Sequence, residues 1–206
     1  MAQSASPFGL RVVGSLMASP YSGKTFRCLI TASDGNNMGI GDPVDLYGDA
    51  DTPGFYPTVT LATAGATYPI FGVVTSFVIN PDALYTTYRP ASTARYAYVC
   101  VDPFAIFEVQ AGATVLPNTA VGLNAVLKAG AVNQYTGLSG WYMDSGDTTA
   151  PADNSTYQLQ TLGLANRPNN DITQAYCVWR VKINLHRLSA AGVATAGSAL
   201  AGPLGV

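Results

Sequence analysis

Hydrophobic and polar positions alternate along this chain in short runs, and no long run repeats at the 3.6-residue spacing of a helix. Glycine (21) and proline (13) punctuate the chain throughout and keep the runs short. Short alternating runs between turn residues, spaced roughly 8 to 12 residues apart, are the signature of a β-sandwich or barrel. The pattern predicts strands at 25–32 (TFRCLITA), 43–47 (PVDLY), 58–62 (TVTLA), 70–79 (IFGVVTSFVI), 94–101, 105–109, 121–127 (VGLNAVL), 157–165 (YQLQTLGLA) and 175–186 (AYCVWRVKINLH). The first ends at the turn cluster Ser33-Asp34-Gly35-Asn36-Asn37, and Gly72 is a candidate bulge inside the fourth. The last alternates most cleanly. Cys177, Trp179, Val181, Ile183 and Leu185 share one face, and Tyr176, Val178, Arg180, Lys182, Asn184 and His186 share the other.

The run ARYAYVCVDPFAIFEVQ, residues 94–110, has a different character. Its faces are Arg95, Ala97, Val99 and Val101 against Tyr96, Tyr98, Cys100 and Asp102, with Pro103 marking a break. Both faces carry apolar bulk, as expected of a strand covered on one side by its own core and on the other by a second sheet or subunit. GDPVDLY followed by IFGVV is echoed later by VGLNAVL followed by LQTLGLA, compatible with two related β-modules at about 21–90 and 91–187. The ends differ from this body. Residues 1–20 are small and weakly patterned, and residues 188–206 (LSAAGVATAGSALAGPLGV) are uncharged and rich in Ala and Gly. The expected fold is all-β, a β-barrel or jelly-roll-like sandwich, with an N-terminal arm at 1–20 and a C-terminal arm at 188–206. Such arms form little core of their own and gain stability by lying on a partner.

Composition sharpens this reading. Charged residues make up 11% of the chain, against about 25% in an ordinary soluble domain. A surface so poor in charge is expected to be covered in part by neighbours. The formal net charge is -2. The ten Lys and Arg are spread from Arg11 to Arg187 without a basic stripe, so direct nucleic-acid binding is not expected. Cys28, Cys100 and Cys177 are odd in number and far apart, which predicts buried thiols rather than disulfides or a zinc site, in a chain made in a reducing cytoplasm. The Asn154-Ser155-Thr156 sequon is then without consequence. The first 20 residues lack the layout of a signal peptide, and no run of 18 apolar residues suits a membrane span.

The chemistry-bearing residues do not assemble into a motif. His186 is the only histidine, and no serine sits in a Gly-x-Ser-x-Gly elbow. Glu108 is the only glutamate among twelve acids. Asp42, Asp45, Asp49 and Asp51 cluster in GDPVDLYGDADTPG, but their spacing departs from a calcium loop and suits turns better. Trp141 and Tyr142 are the best candidates for an exposed sugar-binding platform, with core or interface packing favoured for both. No phosphate loop, dinucleotide fingerprint or Cys-x-x-Cys is present. Neither catalysis nor a cofactor is expected.

In sequence, GIGDPVDLYG, FGVVTSF, YRPASTARYAYVCVDPFAIFEVQ, VGLNA, TGLSG, LGLANRPNN and WRVKINLH together resemble virion structural proteins of tailed double-stranded DNA bacteriophages, the group described as capsid decoration, cement or head-stabilising proteins. The resemblance spans roughly residues 8–187. It implies a mostly β protein, often trimeric, made in the host cytoplasm and bound to the major capsid protein on the outer surface of the head. It carries no catalytic residue. The arms supply the candidate contact positions: Phe8, Leu10 and Arg11 at one end, Leu188, Leu200 and Leu204 at the other. The alternatives are another phage part, such as a tail or head-fibre base protein, or a carbohydrate-binding module.

Overall fold

The computed structural model describes residues 3–17, 23–81 and 83–189. The chain is all-β. Its strands are β1 (Arg11–Ser15), β2 (Phe26–Ile30), β3 (Pro43–Ala50), β4 (Pro57–Leu61), β5 (Gly72–Phe77), β6 (Arg95–Cys100), β7 (Ala105–Gln110), β8 (Asn124–Ala125), β9 (Leu127–Lys128), β10 (Tyr142–Met143), β11 (Leu159–Leu164) and β12 (Val178–Ile183). A single 3₁₀ turn, Asn118–Ala120, interrupts them among the described residues.

Strands β2-β4-β3-β5-β6 close into a barrel. Every pairing in it is antiparallel except β2 with β4, where Leu29 lies opposite Thr58 and seals the cylinder. Closure removes the free edges that an open sheet would present. A five-stranded sheet, β1-β7-β12-β11-β8, packs beside the barrel, and β9 and β10 form a short ribbon. The module boundary therefore falls between Cys100 and Ala105, not near residue 90, and the sheet borrows β1 from the N-terminus.

Two cores follow from this layout. Cys28, Ile30, Val44, Val59, Val74, Ala97 and Val99 fill the barrel. Val73 and Cys100 point out of the barrel wall into a second core, where they meet Phe107, Val109, Trp141, Trp179 and Val181. The run 94–110 is thus a shared wall. Alternation sends Ala97 and Val99 inward and Cys100 outward, and both directions end in apolar packing. Ala94, Tyr98 and Phe104 are the exceptions and reach solvent.

Buried polar side chains stitch the two bodies together. Gln158 is fully buried and fully satisfied. Its Oε1 accepts from the N–H groups of Gly65 (3.1 Å) and Leu127 (3.2 Å), and its Nε2 donates to the carbonyls of Thr63 (2.8 Å) and Tyr68 (3.0 Å). Arg187, past the end of β12, donates twice to Asp45 on β3, at 2.7 and 2.6 Å.

Three expectations need correction. Residues 9–15 are not a free arm. Leu10 is 1% exposed in the second core, and β1 pairs along β7. The weak sequence pattern of β1 reflects an edge strand with one covered face. Its entry is fixed where Gly9 (φ 70°) crosses Gly41 (φ 95°), and a Cβ on Gly41 would sit 2.5 Å from the Phe8 carbonyl. Gly72 is not a bulge. It lets β5 lie close against β6, since a Cβ there would meet the Cys100 carbonyl at 2.5 Å, while the irregularity falls between Val74 and Ser76. The predicted strand 121–127 is realised as two pairs of residues, β8 and β9, on different sheets.

Candidate functional site

The most concentrated charge lies on the outer face of the five-stranded sheet. Strands β1, β7 and β12 run side by side, and their register sets Arg11 opposite Glu108 and Glu108 opposite Arg180. Period-two alternation buries Phe107 and Val109 and turns Glu108 outward. Glu108 is nonetheless only 5% exposed, because Arg167, in the segment after β11, folds over it. Arg11 Nη2 donates to Oε2 at 2.6 Å, and Arg167 Nη2 donates to the same oxygen. Arg180 Nε stands 4.0 Å from Oε1. A covered carboxylate needs this pairing, since unpaired charge out of water is strongly unfavourable. The balance is uneven: three guanidiniums meet one carboxylate, and Lys182 follows Arg180 on the same face. Cations spread along the sequence are thus gathered at one place in the fold.

Two recesses flank this cluster. On the Arg167 side is a polar hollow of about 580 Å³, lined by Gln3, Gln110, Arg167, Asn169, Asp171 and Tyr176 among others. On the Arg11 side is an apolar groove of about 180 Å³, lined by Phe8, Leu10, Val12, Ile40 and Leu138 among others. The Arg11 guanidinium sits 5.3 Å from the Phe8 ring centroid, which holds it between groove and carboxylate.

A second surface feature is apolar. Ile79, Leu84 and Tyr85 project from the segment after β5, and Tyr135 is 95% exposed on a turn at 133–137. The first segment is pinned from beneath by Arg95, which donates to the carbonyls of Val78 (3.1 Å), Thr86 (3.3 Å) and Tyr88 (2.6 Å). The second is fixed by Asn133, whose Oδ1 accepts from the N–H groups of Tyr135 (3.0 Å) and Thr136 (3.1 Å). The two abut, since a Cβ on Gly137 would lie 2.6 Å from the Thr87 hydroxyl.

Several titratable groups outside the cluster hold the fold. His186 is buried, its Nδ1 accepts from Leu188 N–H at 3.0 Å, and desolvation pushes its pKa down to about 4. Burial pushes Asp42 up to about 6, although Ser139 and the Gly39 N–H (2.7 Å) favour its charged form. The aspartates of 42–51 separate in space. Asp45 pairs with Arg187, and Asp51 Oδ1 accepts from the N–H groups of Phe55 and Tyr56 at 2.8 and 2.9 Å. Among the described residues no group of three His, Cys, Asp or Glu side chains is placed to hold a metal ion. All three cysteines are buried, and desolvation raises the Cys28 thiol to about 12.

Of the contact positions expected from sequence, Arg11 lies in the cluster and Phe8 is half-buried beside it. Leu10 is a core residue at 1% exposure, which leaves only its edge at the floor of the apolar groove. Leu188 is half exposed, and Leu200 and Leu204 lie outside the described residues. Trp141 is buried at 1% exposure, so it offers no sugar platform. Among the described residues no helix is long and apolar enough to cross a membrane. The chain matches no protein-family model, no curated protein and no solved structure.

Proposed function

We propose that this protein works by contact, as a virion structural protein that binds the outer surface of a tailed-phage capsid and stabilises the head as a homotrimer on the major capsid protein. The observation that carries the reading is the apolar display of Ile79, Leu84, Tyr85 and Tyr135 on two abutting segments, each held by buried or local hydrogen bonds. Single exposed hydrophobics are ordinary. Several on adjoining, fixed segments make a patch of the kind that partners cover. The low charge of the chain and its sequence resemblance to capsid decoration proteins point the same way. Multiple weak contacts over a shell sum to firm attachment, so no single contact has to be strong.

The test is co-sedimentation with expanded, undecorated heads of the phage that carries the gene. The full chain pellets with the heads. A Tyr85→Ser/Tyr135→Ser variant keeps its thermal transition and loses most of its binding. A wild-type chain that stays in the supernatant at all concentrations overturns the proposal.

A further inference from the structure

We propose that the Arg11–Arg167–Arg180 cluster is a docking site for an extended, acidic segment of a partner protein, one that alternates carboxylate and apolar side chains. The cluster and its groove share no residue with the apolar display, and the proposal does not depend on what that display binds.

Glu108 takes guanidinium hydrogen bonds on one oxygen from Arg11 and Arg167, and Arg180 approaches the other only to 4.0 Å. One carboxylate cannot neutralise three guanidiniums, and no other acid is paired with them among the described residues. Each guanidinium carries five N–H donors. The Arg11, Arg167 and Arg180 side chains are 54%, 32% and 48% exposed, so their remaining donors face solvent. Glu108 shows which ligand the forks suit: it holds them in one place and aims their free donors outward. The concentration matters in a chain whose overall charge is negative.

Shape selects the partner. Arg11 borders the apolar groove of Phe8, Leu10, Ile40 and Leu138, and Arg167 borders the polar hollow that also contains Asp171. Asp171 is occupied by Thr173, which donates its N–H and hydroxyl to Oδ1 at 2.9 Å each. A segment crossing β1, β7 and β12 would place a carboxylate over the forks and an apolar side chain in the groove. A nucleic-acid backbone presents phosphates at regular spacing and calls for a longer basic track than three arginines and Lys182. An acidic, partly apolar peptide matches both the charge and the groove.

The experiment reads anisotropy of a labelled (Glu-Leu)5 peptide titrated with the full chain, beside a (Gln-Leu)5 peptide and a labelled single-stranded oligonucleotide. The (Glu-Leu)5 peptide binds in preference to both, and its affinity falls as salt rises. Arg180→Gln/Lys182→Gln, which removes the two cations least engaged with Glu108, weakens binding about fivefold. Glu108→Gln, checked for an intact thermal transition, acts in the opposite direction and tightens binding, because the amide oxygen still accepts from the forks while the competing negative charge is gone. A Glu108 variant that fails to fold leaves the double variant to decide. Equal binding of the two peptides, or unchanged affinity in Arg180→Gln/Lys182→Gln, overturns the proposal. Tighter binding of the oligonucleotide overturns it too, and reassigns the cluster to phosphate.

Discussion

Arg89 is wholly buried, and its guanidinium donates to four carbonyls: Thr93 (2.7 Å), Asn36 (2.5 Å), Thr31 (2.6 Å) and Asp34 (2.9 Å). It ties the turn after β2 to the segment before β6. A lysine carries one ammonium and cannot span that arrangement. Arg89→Lys is expected to lower unfolding stability by about 3 kcal/mol in urea titrations, because carbonyls are left unpaired in the interior. Asp42 and His186 make opposite pH demands. Asp42 has a folded pKa near 6, above the ordinary 3.8, so its stabilising protonation is complete below 3.8 and lost as pH rises through 6. His186 has a folded pKa near 4, below the ordinary 6.5, so its contribution is intact above 6.5 and lost as pH falls toward 4. Each amounts to on the order of 3 kcal/mol, and between pH 6.5 and 4 they offset one another. Asp42→Asn should therefore lose stability on acidification through that window, and His186→Asn should gain it. Denaturant midpoints at pH 4, 5 and 6.5 decide this, and parallel profiles for the two variants would remove the account.

At the scale of elements, β1 is the informative case. An arm that only served a partner could be altered without effect on the isolated chain. Leu10, however, is in the second core, and β1 covers one side of β7. Leu10→Ala is expected to cost about 3 kcal/mol, whereas Met17→Ala, exposed just past β1, should change stability by no more than about 0.5 kcal/mol. Equal, small effects at both positions would restore the arm. Gly72 makes a similar point for β5. Its strand lies so near the Cys100 carbonyl that any side chain would force β5 and β6 apart. The sequence signal there, a glycine inside an apolar run, is the same for a bulge and for a close approach. Only the neighbouring strand distinguishes them.

For the whole molecule, the barrel and the sheet share the wall of β5 and β6, and Gln158 and Arg187 bridge them. Such a body is expected to unfold in one cooperative transition rather than as two modules. Calorimetry showing two separated transitions would contradict the shared wall. Self-association belongs at this scale as well. Light scattering is expected to give a mass of three chains, and removal of residues 189–206 is expected to weaken assembly while leaving the thermal transition of the body in place. A truncated chain that still forms trimers and binds heads normally would strip the C-terminal segment of that role.

Local periodicity was enough to identify the β class and the approximate positions of most strands, because alternation with period two is written directly in the order of residues. The cleanest run, 175–186, placed Cys177, Trp179, Val181, Ile183 and Leu185 on the buried face as they stand in the fold. Closure of the barrel, the recruitment of β1 and the identity of Gly72 as a contact were decided by tertiary structure, since strand partners many residues apart leave no local trace. The arginine cluster belongs to the same class. Arg11, Glu108, Arg167 and Arg180 look like isolated charges along the chain, and only the register of β1, β7 and β12, with Arg167 folded over it, gathers them on one carboxylate. Chain order records which residues alternate, whereas long-range pairing decides which of them meet.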